Sequence, residues 1–180
     1  MSNPHLVVMS PIKLCLLGAG LSGLTFQIPF ILALPKLFSL VAIFDIFPEI
    51  AREKVASRFG ITPKIYATFE DVLTDREIEL VIISTPNGTH YEYTKRSLEA
   101  GKHVLVEKPA APVASQAREL GELAKSRNLV LCANQNRRWD SDFLALKRLL
   151  NQPSTAEISL GDVFELQIQC VYLRPIPTHK

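Results

Sequence analysis

Ile12-Lys13-Leu14-Cys15-Leu16-Leu17-Gly18-Ala19-Gly20-Leu21-Ser22-Gly23 runs from an apolar segment straight into a glycine-rich turn. Each glycine has its own mechanical reason to be there. Gly18 permits a tight strand-to-helix turn, Gly20 lets backbone approach a pyrophosphate with no β-carbon in the way, and Gly23 allows the following helix to pack closely on the strand. The start of that helix, with Leu21 and Ser22, offers unpaired N–H groups and a partial positive charge to phosphates. The next apolar run, 39–44, closes on Asp45. Asp45 follows Gly23 at close to the spacing of about 20 residues at which an acidic side chain reaches ribose hydroxyls. A glycine fingerprint alone is weak evidence; here the strand before it, the helix after it and the acidic residue all agree. The residues therefore point to a dinucleotide site.

Outward from this stretch, short apolar runs alternate with longer amphipathic ones. Strands are expected at 12–17, 39–44, 64–67, 79–84, 102–106 and 129–134, and helices at 21–34, 48–59, 69–74, 89–100, 112–127 and 140–151. Such alternation predicts an α/β fold, a doubly wound parallel sheet of the Rossmann type. Leu80-Val81-Ile82-Ile83 and Val104-Leu105-Val106 are continuously apolar, as in strands covered on both faces. Pro29 is expected to bend or split the first helix. Pro48 and Pro112 are placed at helix starts, and Gly60 and Gly101 at helix ends. Residues 1–11 read as a flexible leader and 12–152 as the nucleotide-type domain. Residues 153–180, with one long strand expected at 162–173, read as the unfinished start of a second α/β domain.

The bulk properties exclude several classes. The chain has 180 residues, 47% apolar and 21% charged, with a formal charge of +2. Its basic residues are scattered, which gives no footprint for nucleic acid. Cys15, Cys132 and Cys170 lie in strand-like runs without Cys-x-x-Cys spacing, so small buried thiols in a reducing compartment are expected, and neither a disulfide nor a metal site. The apolar stretch 26–44 is interrupted by Gln27, Pro29, Pro35 and Lys36, unlike a membrane span. The leader and the first strand lack the apolar length of a signal peptide. A soluble, cytoplasmic protein is expected. Gly20-Leu21-Ser22-Gly23 lacks the spacing of a nucleophile elbow, and no Gly-Lys-Ser/Thr phosphate loop is present.

A second informative region is residues 84–111, STPNGTHYEYTKRSLEAGKHVLVEKPAA. Ser84 to Gly88 and Glu107-Lys108-Pro109 both follow expected strands, at the carboxyl edge where open α/β sheets bind ligands. The glycine loop, TPN-x-x-H at 85–90, AGKHV-x-x-EKP at 100–109 and NRRWDSDF at 136–143 occur together and in order. In this the chain resembles the Gfo/Idh/MocA oxidoreductases, nicotinamide-dependent dehydrogenases of sugars, inositols and related polyols, from about residue 12 to its end.

The resemblance implies roles residue by residue. Lys108 matches the active-site lysine, between substrate hydroxyl and nicotinamide, where an ammonium can donate to a developing alkoxide. Glu107 and Pro109 hold it, and a cis bond before Pro109 would suit the turn. Thr85, Pro86 and Asn87 match the loop along the nicotinamide and its ribose; His90, opening the next helix, is counted with them among the cofactor-binding positions and reads as a hydrogen-bonding residue rather than a catalyst. Glu107, Arg138 and Trp139 match positions that touch the nicotinamide half, although Trp139 alone would equally read as packing. His103 reads as structural. Asp45 would repel a 2′-phosphate, so NAD is expected over NADP; capping of the loop before Pro48 is its other reading.

Relatives in this family are about twice as long. Their second domain supplies an aspartate and a histidine to the substrate and much of the subunit interface, so oligomerisation loses its main basis here. Three readings stay open: the cofactor domain of a sugar or polyol dehydrogenase, truncated and without turnover of its own; a cofactor-binding regulator or sensor; or an inert fragment.

Overall fold

A computed structural model describes residues 10–153 and, beyond them, 158, 160, 162, 163 and 165. Of the expected leader only residues 10 and 11 are described, and of the expected strand at 162–173 only 162, 163 and 165; Cys170 lies outside the described residues. The described residues form two compact units, one ending at Gln135 and the other beginning at Asn136.

In the first unit six strands form one sheet: β1 (Ile12–Leu17), β2 (Phe38–Phe44), β3 (Lys64–Tyr66), β4 (Leu80–Ile83), β5 (His103–Glu107) and β6 (Leu131–Asn134). All are parallel, in the order β3-β2-β1-β4-β5-β6. Chain order reverses between β1 and β4, which opens a crevice at the carboxyl ends of these two strands. The helices of this unit are α1 (Ile28–Ala33), α2 (Pro48–Phe59), α3 (Phe69–Thr74), α4 (His90–Glu99) and α5 (Ala114–Ser126).

Strand side chains alternate between two cores. Cys15, Leu17, Phe44, Val81, Ile83 and Val106 pack with Phe69, Val72, Leu98 and Leu120 on one face. Leu14, Leu16, Ile43 and Ile82 pack with Ile28, Ile31, Ala51 and Val55 on the other. β1 is central and buried from Leu14 onward on both faces, which explains its unbroken apolar run. Truncating one of these fully buried leucines to alanine costs about 2–5 kcal/mol.

Pro48 opens α2, and Gly60 closes it at φ +66° with its N–H on the Ala56 carbonyl. Pro112 is not in α5: Val113 is the N-cap and the helix begins at Ala114. At Pro29 the chain stays helical, but the helix is split just before it into a π and an α segment. A π-helical turn, Gly23–Gln27, runs into α1, and Ile28 N–H donates to the Gly23 carbonyl five residues back. Proline lacks an N–H and clashes with the carbonyl four residues earlier, so a wide turn just before it relieves both costs.

Cys15 is fully buried, and burial pushes its thiol pKa far up. Cys132, expected buried, is exposed. It lies on β6, which among the described residues is an edge strand paired with β5 alone, and the middle residues of β6 are open to solvent. The second unit contains one turn of 3-10 helix, Asn136–Trp139, and α6 (Ser141–Leu150). No helix among the described residues is long and apolar enough to cross a membrane.

Candidate cofactor site

The glycine loop leaves β1 through Gly18, at φ +96°, whose N–H donates to the Phe44 carbonyl. A β-carbon on Gly18 would lie 2.7 Å from the Ser84 carbonyl oxygen, and one on Gly23 only 2.1 Å from the Gly18 carbonyl oxygen. These two glycines are thus demanded by the protein's own backbone. Gly20 differs: a β-carbon there meets nothing within 4 Å. No protein atom requires a glycine at this position, which fits space kept for a ligand.

The helix opens at Leu21, and Leu24 N–H donates to the Gly20 carbonyl. The N–H groups of Leu21, Ser22 and Gly23 therefore have no partner within the helix. Asp45, at the end of β2, accepts from Ala19 N–H at 2.8 Å with one carboxylate oxygen and from Phe47 N–H at 2.9 Å with the other. Asp45 both fixes the glycine loop and caps the approach to α2. Each oxygen keeps a further lone pair for a ribose hydroxyl.

Beside this carboxylate lies a cleft of about 450 Å³, lined by Gly18, Gly20 and Leu21, by Asp45 to Phe47, and by Ser84 to Pro86 with Thr89 and Tyr93. It occupies the crevice where strand order reverses. Leu21, Ile46 and Phe47 are 81%, 70% and 60% exposed, an apolar rim suited to the flat face of a base.

The loop after β4 is held by its own side chains. Thr89 Oγ1 donates to the Pro86 carbonyl at 2.7 Å. Having spent its only proton, it accepts from Thr85 Oγ1 at 2.6 Å. Asn87 begins a 3-10 turn, Asn87–Thr89, that leads into α4.

His90 opens α4 and is 1% exposed. Its Nδ1 lies 2.7 Å from the Pro109 carbonyl oxygen and its Nε2 2.9 Å from that of Thr85. A neutral imidazole donates to one of these carbonyls and a protonated one to both. His90 thus sits between the loop after β4 and the loop after β5, and is absent from the cleft lining. Both of its ring nitrogens are turned to these carbonyls.

Lys108 follows β5, is exposed, and joins Pro109 through a cis peptide bond. Glu107 before it accepts at Oε1 from Gln27 Nε2 at 2.6 Å and from Asn134 Nδ2 at 2.8 Å. Its other oxygen faces Lys108 N–H at 3.3 Å. Gln27 and Asn134 were not singled out from sequence. The signal available for Gln27 was a lone amide within an apolar helical run; here it is buried at 8% exposure. Arg138 and Trp139 belong to the second unit, on the turn Asn136–Trp139, where the indole is 74% exposed and not part of a core. His103 is structural, its Nδ1 accepting from Val130 N–H at 3.0 Å.

Comparison with known proteins agrees with this geometry. Residues 12–135 match the Gfo/Idh/MocA family model, described as an oxidoreductase family with an NAD-binding Rossmann fold. An uncharacterised oxidoreductase of Schizosaccharomyces pombe is 42% identical over 83% of this chain and 40% of its own length. The scyllo-inositol 2-dehydrogenase (NADP(+)) of Bacillus subtilis is 35% identical over 84% of this chain and 41% of its own. A crystal structure of an NAD-binding protein from Listeria innocua superposes with a TM-score of 0.70 at 36% identity, over 78% of this chain and 40% of that one. The chain therefore spans about two fifths of the length of these relatives. With the family model covering more than half of its residues, and its parallel sheet and glycine loop in place, the chain belongs to the Gfo/Idh/MocA oxidoreductases.

Proposed function

We propose that this chain binds NAD along the carboxyl edge of its sheet and is the cofactor-binding part of a dehydrogenase acting on a secondary alcohol of a sugar or polyol. The observation that carries the reading is the cleft of about 450 Å³ that brings together Gly18, Gly20, the start of the first helix and the Asp45 carboxylate. Leu21, Ser22 and Gly23 N–H groups hold the diphosphate, and Asp45 takes the adenosine ribose. Thr85, Pro86 and Asn87, with Glu107, Arg138 and Trp139, serve the nicotinamide half. A bound nicotinamide ring supplies the hydride chemistry. Lys108 donates a hydrogen bond to the substrate oxygen and, in the reductive direction, gives its proton to the alkoxide. The inositol activity of the Bacillus subtilis relative supports the substrate class.

NAD is preferred over NADP because the Asp45 carboxylate repels a 2′-phosphate at contact distance. That relative carries NADP(+) in its own name, so the preference is this chain's and not the family's. Free thiols at Cys15 and Cys132 suit the reducing cytoplasm.

A second reading is cofactor binding by residues 1–180 without turnover; these residues match about two fifths of the length of the relatives. Turnover needs a water-poor, oriented site around both reactants. Titration of the purified chain with NAD and NADH, followed by nicotinamide fluorescence and thermal shift, separates the cases. Saturable binding with no polyol oxidation selects the second reading, and oxidation abolished by Lys108→Ala selects the first. No binding, with Gly20→Val indistinguishable from wild type, leaves an inert fragment.

A further inference from the structure

The Lys108 loop has side-chain contacts on both sides of the lysine. The downstream contact is His90, on the Pro109 carbonyl. The upstream one is Glu107, whose Oε1 is gripped by Gln27 and Asn134. Gln27 comes from the very helix whose first turn faces the diphosphate, and reaches across 80 residues of sequence to do so.

We infer that Gln27 is a positioning residue: carried inward by the π turn, it couples the phosphate-binding helix to the backbone of the lysine loop through Glu107. Three observations converge. Gln27 is the last residue of the π turn, a local insertion that rotates side chains by about 100° relative to an unbroken α-helix. It is buried, where an unpaired amide would be costly. Its partner is a carboxylate, and two amide N–H donors on one oxygen fix Glu107 in a single rotamer beside Lys108 N–H. π turns recur at functional sites because they aim a side chain that regular geometry would misplace. Lys108's own side chain remains exposed, so the clamp fixes where the lysine starts and not where its ammonium ends.

The inference rests on the cofactor reading only for its consequence. The clamp itself is tested without ligand, by amide hydrogen exchange on the whole chain, comparing wild type with Gln27→Met, which keeps volume and removes the donor. Exchange across 105–111 is expected to rise about ten-fold, with β1 and β2 unchanged. In titrations, NADH affinity is expected to fall at least about five-fold while ADP-ribose, which lacks nicotinamide, stays within about two-fold. Unchanged exchange at 105–111, increased exchange spread over β1 and β2, or equal losses for NADH and ADP-ribose would each overturn the inference. Should Gln27→Met not fold, Asn134→Ala removes the other donor on the same oxygen and is read the same way. If wild type binds neither nucleotide, the cofactor reading falls and the exchange result alone decides the clamp.

Discussion

The three glycines of the first turn carry three different burdens, and substitution can tell them apart. Gly18→Ala puts a β-carbon against the Ser84 carbonyl at a positive φ, and Gly23→Ala drives one into the Gly18 carbonyl. Both are expected to cost about 3 kcal/mol or more, since backbone on both sides leaves no room to relax. Gly20→Ala meets nothing, so its thermal midpoint should match wild type while NADH affinity drops at least about ten-fold. A Gly20→Ala protein that unfolds early, or that binds NADH as before, would refute the assignment of that space to the diphosphate. Asp45 poses a similar question, because Ala19 and Phe47 N–H groups already occupy its oxygens. Asp45→Asn keeps one acceptor and loses one, at an expected cost of about 1–3 kcal/mol. It also removes the charge that repels a 2′-phosphate, so the ratio of NADP to NAD affinity should rise at least about five-fold in paired titrations. The glycine spacing and the acidic residue were legible in sequence because each answers a local steric or electrostatic demand. Gln27, Asn134 and the carbonyl contacts of His90 were not, since each depends on which carbonyl or carboxylate the tertiary fold brings opposite.

At the scale of elements, the strand and helix pattern was readable almost throughout because the sheet is parallel and double-covered near β1. Hydrophobic continuity identifies such strands without knowledge of their neighbours. It fails at the edge: Cys132 sits in an apolar run yet is exposed, for among the described residues β6 has a partner on one side alone. The π turn was also illegible, because Pro29 signals only that a regular helix cannot continue and not how the chain responds. Between α3 and β4 a polar cluster makes a prediction about pH. The Tyr66 hydroxyl donates to Asp75 at 2.7 Å and, with Glu77 N–H, holds the Asp75 carboxyl below its usual range. Lys13 and Lys64 do the same for Glu77. Both carboxyls are more acidic folded than unfolded. Their stabilisation is therefore present above the unfolded value near about pH 4 and is lost as pH falls through the lower folded values. Urea midpoints measured from pH 7 down to pH 2.5 should show wild type and Asp75→Asn converging at the acid end, with wild type ahead at neutral pH. Parallel curves would mean the cluster contributes nothing through ionisation.

For the molecule as a whole, the question is how much of cofactor recognition resides in the unit that ends at Gln135. Every residue lining the cleft lies between Gly18 and Tyr93, and the clamp on Glu107 closes with Asn134. Arg138 and Trp139, the remaining candidates for the nicotinamide half, lie in the unit beginning at Asn136. A chain ending at Gln135 keeps all six strands and both hydrophobic cores, so it should still fold cooperatively. It should also keep ADP-ribose affinity within about two-fold of the full chain, because the groups serving that part of the ligand are untouched. NADH affinity should fall about three- to ten-fold if the guanidinium and indole touch the nicotinamide half, an amount typical of one or two lost polar or stacking contacts. Isothermal titration of both nucleotides against both chains reads this directly. Equal affinities for NADH would remove Arg138 and Trp139 from the site and confine recognition to the sheet's edge. Loss of ADP-ribose binding would show instead that the cleft depends on residues beyond Gln135, against the geometry that places its walls on β1, β2 and β4.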